Sequence, residues 1–342
     1  MLTKLKHLVN VSGISGRESA IAAKIAEYMT PVCDQVYTDA MGSLIAYKKG
    51  TGESRRKIML VAHMDEIGFV VTQIEKNGML RLAPIGGIHF SASAFSEVVF
   101  ENGQRGVLVP EGGVKPNDWT YDKMLVDIGA KDARDAEKRV AVGDFFSVVP
   151  NVIKLSARRI AGRPMDDRIG CAVMIEIAER LTETPCADDV YFVFAVQEEV
   201  GVRGAGAAAE QICPDYCINF DVTGTGDVQG AKPMACELGG GAAIKVKDAS
   251  VLCNKGVIDR LVKIAKEKGY KYQYEILTAG GTDTSAVQKS GIGVKVGALS
   301  IPTRYIHSGV ETIDLGDCRL CVELTLAYLH RRLARMQDGA SH

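Results

Sequence analysis

The chain has 342 residues, 46% hydrophobic, 24% charged and 6% aromatic, with 41 basic and 42 acidic side chains and a formal net charge of −1. These are globular values for one large domain or two unequal ones. So balanced a charge argues against nucleic-acid and membrane-surface partners, and no run of about eighteen apolar residues is present to span a bilayer.

In chain order, Arg17 to Met29 is expected as an amphipathic helix with Ile21, Ile25 and Met29 on one face and Ser15 as its cap. Gln35–Thr38 and Ser43–Tyr47 are short strands joined by a turn over Asp39–Gly42. Lys57–Ala62 is a buried strand that runs into His63-Met64-Asp65. The character of the chain then changes. From Gly68 to Leu155 short β-like runs alternate with glycine: Phe69–Ile74, Met79–Leu82, Ser96–Phe100, Gly106–Val109, Leu125–Ile128 and Phe145–Val149, with helical periodicity only at Ala130–Arg139. This predicts a small β-barrel or sandwich over 68–155, inserted into an α/β domain of residues 1–67 and 156–342.

The α/β pattern resumes with a helix over Arg168–Leu181 and strands over Val190–Val196 and Tyr216–Phe220. A helix over Val257–Lys268, a strand over Tyr272–Leu277, a short helix over Thr282–Lys289 and a strand over Val294–Leu299 come next. A long helix over Asp314–Met336 precedes a frayed tail, Gln337–His342. Strands alternating with helices predict a largely parallel or mixed sheet covered by helices on both faces. The nine cysteines are scattered, odd in number and follow no secretory segment, which points to reduced thiols and a cytoplasmic protein. Cys318-x-x-Cys321 falls inside the last helix without a second pair and reads as packing.

The informative feature is where the buried strands end. Val190–Val196 stops at two adjacent carboxylates, Glu198 and Glu199. Ionised carboxylates at the end of a buried strand lose solvation and repel each other, so a compensating cation is expected. Ligands of open α/β sheets bind at the carboxyl ends of the strands. His63, Asp65, Asp221 and His307 also stand just past apolar runs, and Asp166-Asp167 precedes a helix. Imidazole with carboxylate suits zinc, cobalt or manganese. Two histidines with three or more acids exceed the needs of one ion and match a pair about 3.5–4 Å apart, one carboxylate bridging.

Five stretches carry a resemblance: His63-Met64-Asp65-Glu66-Ile67-Gly68, Met165-Asp166-Asp167-Arg168-Ile169-Gly170, Gln197-Glu198-Glu199-Val200-Gly201-Val202-Arg203-Gly204-Ala205, Asp221-Val222, and Ile301-Pro302-Thr303-Arg304-Tyr305-Ile306-His307-Ser308. In order and span they resemble the motif series of the M42 family of dinuclear metallo-aminopeptidases, the tetrahedral (TET) aminopeptidases. The resemblance implies a zinc-peptidase-like three-layer sandwich with an inserted β-barrel, holding two divalent ions per subunit. His63 and Asp221 would hold one ion and Glu199 and His307 the other, with Asp166 bridging; spacing alone does not separate Asp166 from Asp167. Asp65 would orient His63, and Glu198 would serve as general base.

The resemblance further implies short peptides as substrates, trimmed from the N-terminus, and assembly through the insert from dimers to tetrahedral dodecamers. Ala279–Thr284 is either a loop at the substrate, offering Thr282 and Asp283, or a glycine turn in which Thr282 caps the next helix. His89 is a candidate to reach a neighbouring subunit's site. The rival enzyme reading is a related dinuclear amidase, a deacylase or carboxypeptidase. Glycoside hydrolysis leaves both histidines unexplained, and a non-catalytic scaffold would be expected to have lost a ligand.

Overall fold

The apolar runs that end in acids or histidines lie side by side in one eleven-stranded mixed sheet. The computed structural model describes residues 1–231 and 233–331. Strands β1 (Gln35–Thr38), β2 (Leu44–Lys48) and β3 (Lys57–His63) open the sheet. Six strands, β4 (Gly68–Ile74), β5 (Leu80–Ile85), β6 (Glu97–Phe100), β7 (Arg105–Pro110), β8 (Met124–Asp127) and β9 (Phe145–Val148), then form a closed antiparallel barrel in the order β4-β5-β8-β7-β6-β9. The chain returns to the sheet through β10 (Asn151–Lys154), β11 (Arg159–Arg163), β12 (Asp189–Ala195), β13 (Tyr216–Thr223), β14 (Ala242–Lys247), β15 (Tyr272–Ile276), β16 (Lys295–Arg304) and β17 (Glu311–Asp314).

The sheet runs β1-β2-β12-β3-β13-β16-β17-β11-β10, with β14 and β15 branching from β16. Its middle, β12-β3-β13-β16, is parallel, with Ala195 opposite His63 and Asp221 opposite Ser300. The carboxyl ends of these four strands therefore share one rim, and a side chain just past any of them can meet the others.

Helices cover both faces. They are α1 (Leu2–Val9), α2 (Ser19–Met29), α5 (Arg168–Glu183), α6 (Arg203–Ile212), α7 (Lys255–Lys268), α8 (Thr284–Gln288) and α9 (Leu315–His330), while the short α3 (Phe90–Ser93) and α4 (Ala133–Ala136) belong to the barrel. Successive strand residues point to opposite faces. Ile58, Leu60 and Ala62 of β3 join the core under α1, α2, α5, α7 and α9, while Met59 and Val61 pack with Ala205, Ala208 and Ile212 of α6 and Val287 of α8. The barrel has its own core around Phe69, Phe100 and Phe146. Helix α5 begins where the Asp167 carboxylate accepts the Gly170 N–H at 3.0 Å, and buries Ile169, Val173, Ile177 and Leu181 at four-residue spacing.

Several expectations change. The first long helix starts at Ser19 rather than Arg17, and Ser15 caps nothing: its hydroxyl donates to Asp65 Oδ2 at 2.6 Å. The expected helix at Ala130–Arg139 shrinks to Ala133–Ala136. The main sheet resumes at Asn151, inside the stretch assigned to the insertion, because Asn151–Lys154 pairs with β11 rather than closing the barrel. Helices α1 and α6 and strands β10, β11, β14 and β17 were not expected. The last helix is described to His330; residues 332–336 of its expected span and the tail Gln337–His342 lie outside the described residues. Among the described residues no helix is long and apolar enough to cross a membrane.

Candidate metal centre

The shared rim opens into a cavity of about 450 Å³ lined by His63, Asp166, Glu198, Glu199, Asp221 and His307 among others. His63 ends β3, Asp166 lies between β11 and α5, the two glutamates follow β12, Asp221 is in β13, and His307 follows β16. Asp166 is the hub. Its Oδ1 lies 3.0 Å from His63 Nε2 and its Oδ2 3.3 Å from His307 Nε2. Glu199 Oε2 is also 3.3 Å from His307 Nε2, and Asp221 Oδ1 is 4.0 Å from His63 Nε2. Among the described residues, two groups place ligand atoms within 4.8 Å of one another: His63, Asp166 and Glu199, and His63, Asp167 and Asp221. Both acids of the Asp166-Asp167 pair thus reach the centre. Only Asp166 touches both imidazoles; Asp167 uses one oxygen to cap α5 and leaves Oδ2 buried without a partner.

The imidazoles are presented by Nε2. His63 Nδ1 lies 3.1 Å from the Asp65 carbonyl, which can only accept, so the proton sits on Nδ1 and Nε2 faces the acids. The nearer partner is therefore the Asp65 main chain, with a carboxylate oxygen at 3.5 Å. That carboxylate has a second task, accepting the Glu198 N–H at 3.0 Å and the Glu199 N–H at 3.2 Å. On the far side Gly87 lies so close that a Cβ there would meet His307 Nδ1 at 3.2 Å.

The loops that present these groups are locally strained. Gln197, Val202, Tyr305 and His307 all have φ between +49° and +61°, a region that disfavours side chains by roughly 1–2 kcal/mol each. Buried carboxylates hold two of them, Glu18 accepting from Gln197 N at 3.1 Å and Glu311 from His307 N at 2.8 Å.

Electrostatically the centre is starved of positive charge. Burial pushes Glu198, Asp221 and Asp167 well above the carboxylate range and raises Glu199, each helped by neighbouring acids. Burial works to lower both imidazoles, yet hydrogen bonds to carboxylates outweigh it, raising His63 well above its ordinary value and His307 to about 11. Asp166, which burial alone would raise, is held well below the usual range by the two imidazoles. A donor set of two imidazole Nε2 atoms and four carboxylates, Asp166, Asp167, Glu199 and Asp221, one with an unpartnered buried oxygen, fits divalent cations, which displace such protons.

Other candidates are less central. Thr282 lines the cavity, but its hydroxyl bonds that of Thr284 at 2.9 Å and does not cap α8. Asp283 takes the cap position without capping; its carboxylate is buried with neither oxygen bonded, and burial pushes it up to about 7. His89 stands beside its own chain's centre, its ring 6.5 Å from that of His307. Sequence reasoning missed Lys245, buried on the cavity wall between Asp248 and Glu275, and Glu311. For Lys245 the available signal was a charged residue directly after the apolar run Ala242–Ile244.

A zinc-peptidase-like sandwich with an inserted barrel and an acid-and-imidazole rim defines a class of peptidase fold. The family model described as M42 glutamyl aminopeptidase matches residues 42–324. A putative aminopeptidase of Acetivibrio thermocellus is 41% identical over 325 residues, 95% of this chain and 97% of that one. The lysyl aminopeptidase of Pyrococcus furiosus is 34% identical over 346 residues, 95% of each chain. The solved Pyrococcus horikoshii TET1 peptidase, which can assemble into a tetrahedron or a large octahedral shell, superposes with a TM-score of 0.84 at 32% identity, covering 96% of this chain and 99% of that one. The chain belongs to the M42 family of aminopeptidases, hydrolases that act on peptide bonds.

Proposed function

We propose that the rim binds two divalent cations, zinc or cobalt with manganese as a further option, and that the protein removes N-terminal residues from short peptides. The observation that carries this reading is the Asp166 carboxylate, one oxygen on each of two imidazoles that face each other across it. His63 and Asp221 would hold one ion, Glu199 and His307 the other, and Asp166 both. The ions would supply positive charge to polarise the scissile carbonyl and to acidify a water.

The chain's own groups do the rest. Glu198, half-buried at the cavity wall, takes a proton from the attacking water and returns it to the departing amine nitrogen. Asp65 orients His63 and fixes the main chain of both glutamates. Thr282, Asp283 and His89 are assigned to the substrate's surroundings.

Lys245 is the sole Lys or Arg among the described residues lining the cavity, and it is bonded to two carboxylates. Such a wall suits a substrate's free ammonium and offers little to a free carboxylate. This favours an aminopeptidase over a carboxypeptidase or deacylase. The test is hydrolysis of matched peptides with free and N-acetylated termini. Turnover of the free peptide alone is expected, and equal turnover of both would favour the amidase.

We further propose a cytoplasmic homo-oligomer. All nine cysteines are free, which supports a reducing compartment. The stretch 68–155 is proposed as the assembly unit, supported by its exposed Phe95, Tyr121 and Val142 and by the assembly of the P. horikoshii relative.

A further inference from the structure

We propose that Glu311 is a positioning residue: one buried carboxylate that ties the Asp166 loop to the His307 loop and so sets the separation of the bridging acid from the second imidazole. The inference rests on the two-ion reading above.

Topology places Glu311 where it can act on both loops. It opens β17, which lies between β16 and β11, with Glu311 opposite Gly162 and Ile313 opposite Thr303. Strand β11 leaves the sheet toward Asp166 and β16 toward His307, so both ligand loops emerge beside the first residue of the strand between them.

The side chain then spends both oxygens on main-chain donors of those loops. Oε2 accepts the Met165 N–H at 2.6 Å and the Asp166 N–H at 3.2 Å, and Oε1 accepts the His307 N–H at 2.8 Å. Glu311 is 3% exposed, so these bonds are not exchanged for water. His307 is the residue with φ +61°, a conformation that persists only when its surroundings hold it. Asp65 does the same for Glu198 and Glu199 on the opposite side. Two carboxylates outside the proposed ligand set thus brace four loop residues of the rim from behind.

Replacement by glutamine keeps the size but puts an NH₂ group against a backbone N–H whichever way the amide turns. Outer partners of metal ligands commonly govern affinity by 10–100-fold. The experiment is a zinc titration of chelator-stripped protein against a competing chromogenic chelator, with wild type, Glu311→Gln, Glu311→Asp and Thr312→Val. The last shares the strand, and its hydroxyl donates to Val310 O, so it reports the effect of a weakened β17 alone. Glu311→Gln is expected to bind one of two ions about 10–100-fold more weakly while its far-ultraviolet circular dichroism stays unchanged, with Thr312→Val like wild type. Wild-type affinity for both ions in Glu311→Gln overturns the inference, as does equal weakening in Thr312→Val.

Should Glu311→Gln fail to fold, Glu311→Asp, which keeps the charge and withdraws it by one methylene, carries the same comparison. If wild type itself binds no zinc pair, the two-ion reading fails on its own. Hydrogen exchange at the Asp166 and His307 amides of the metal-free protein then decides about Glu311: faster exchange in the variant at both amides supports the tie, and unchanged exchange refutes it.

Discussion

Glu198 and Glu199 are neighbours in sequence and part in role because of what surrounds them. Glu199 lies 3.3 Å from the His307 ring, while Glu198 faces the cavity among His63, Asp221 and Asp283. Burial is the largest influence on both, but only Glu199 has an imidazole hydrogen bond to draw it back. Glu198→Gln is therefore expected to keep its metal and lose turnover by ~10²–10⁴-fold, measured as kcat with stoichiometry by elemental analysis. Near-normal kcat would remove Glu198 from the base role. At this scale the sequence was most legible where a polar side chain follows an apolar run, as with His63, Glu199, Asp221 and His307. Glu311 and the second task of Asp65 carry less signal, because the partners are main-chain N–H groups 133 to 146 residues away or in an adjoining loop.

Among the elements, legibility followed side-chain size. All six barrel strands and the parallel strands β3, β12, β13 and β16 announce themselves through β-branched and aromatic runs. Helix α6, Arg203–Ile212, does not, since it is built from alanine and glycine. The reason is close approach: a Cβ on Gly204 would meet Val196 O at 2.6 Å. Strand β17 is four residues long with an acid at each end, a pattern that reads as a turn until its partners are known.

Its terminal acid, Asp314, caps α9 by accepting the Gly316 N–H at 2.7 Å. The same turn of helix carries Asp317, whose carboxylate accepts the Gly239 and Gly241 N–H groups at 2.7 and 2.9 Å. Burial pushes Asp317 up to about 6 in spite of those donors. A folded-state pKa above the unfolded value of about 3.9 means the native chain binds that proton more tightly. Its contribution to stability is present in full below about pH 4 and is lost as pH rises through about 6. Urea midpoints measured from pH 4 to 7 should thus fall faster with pH in wild type than in Asp317→Asn. Parallel curves would show that Asp317 does not titrate in this window.

For the whole molecule, the parallel middle of the sheet brings four separated segments to one rim and the loop after β11 adds Asp166, which is why motifs spread from His63 to His307 can act together. The barrel contributes Gly87 and His89 at the edge of that rim and elsewhere leaves Phe95 70% and Val142 62% exposed. Sedimentation should show an assembled particle that Phe95→Glu reduces; a monomer in wild type, or an unchanged particle in the variant, would refute assembly through the barrel.

The most direct test of the central claim is to strip the protein with a chelator, add back zinc or cobalt in steps, and follow bound metal per chain together with hydrolysis of an unblocked peptide. Two ions per chain, returning with activity from an inactive stripped state, is the predicted result. Full turnover in metal-free protein, or full recovery with one ion or none bound, would contradict it.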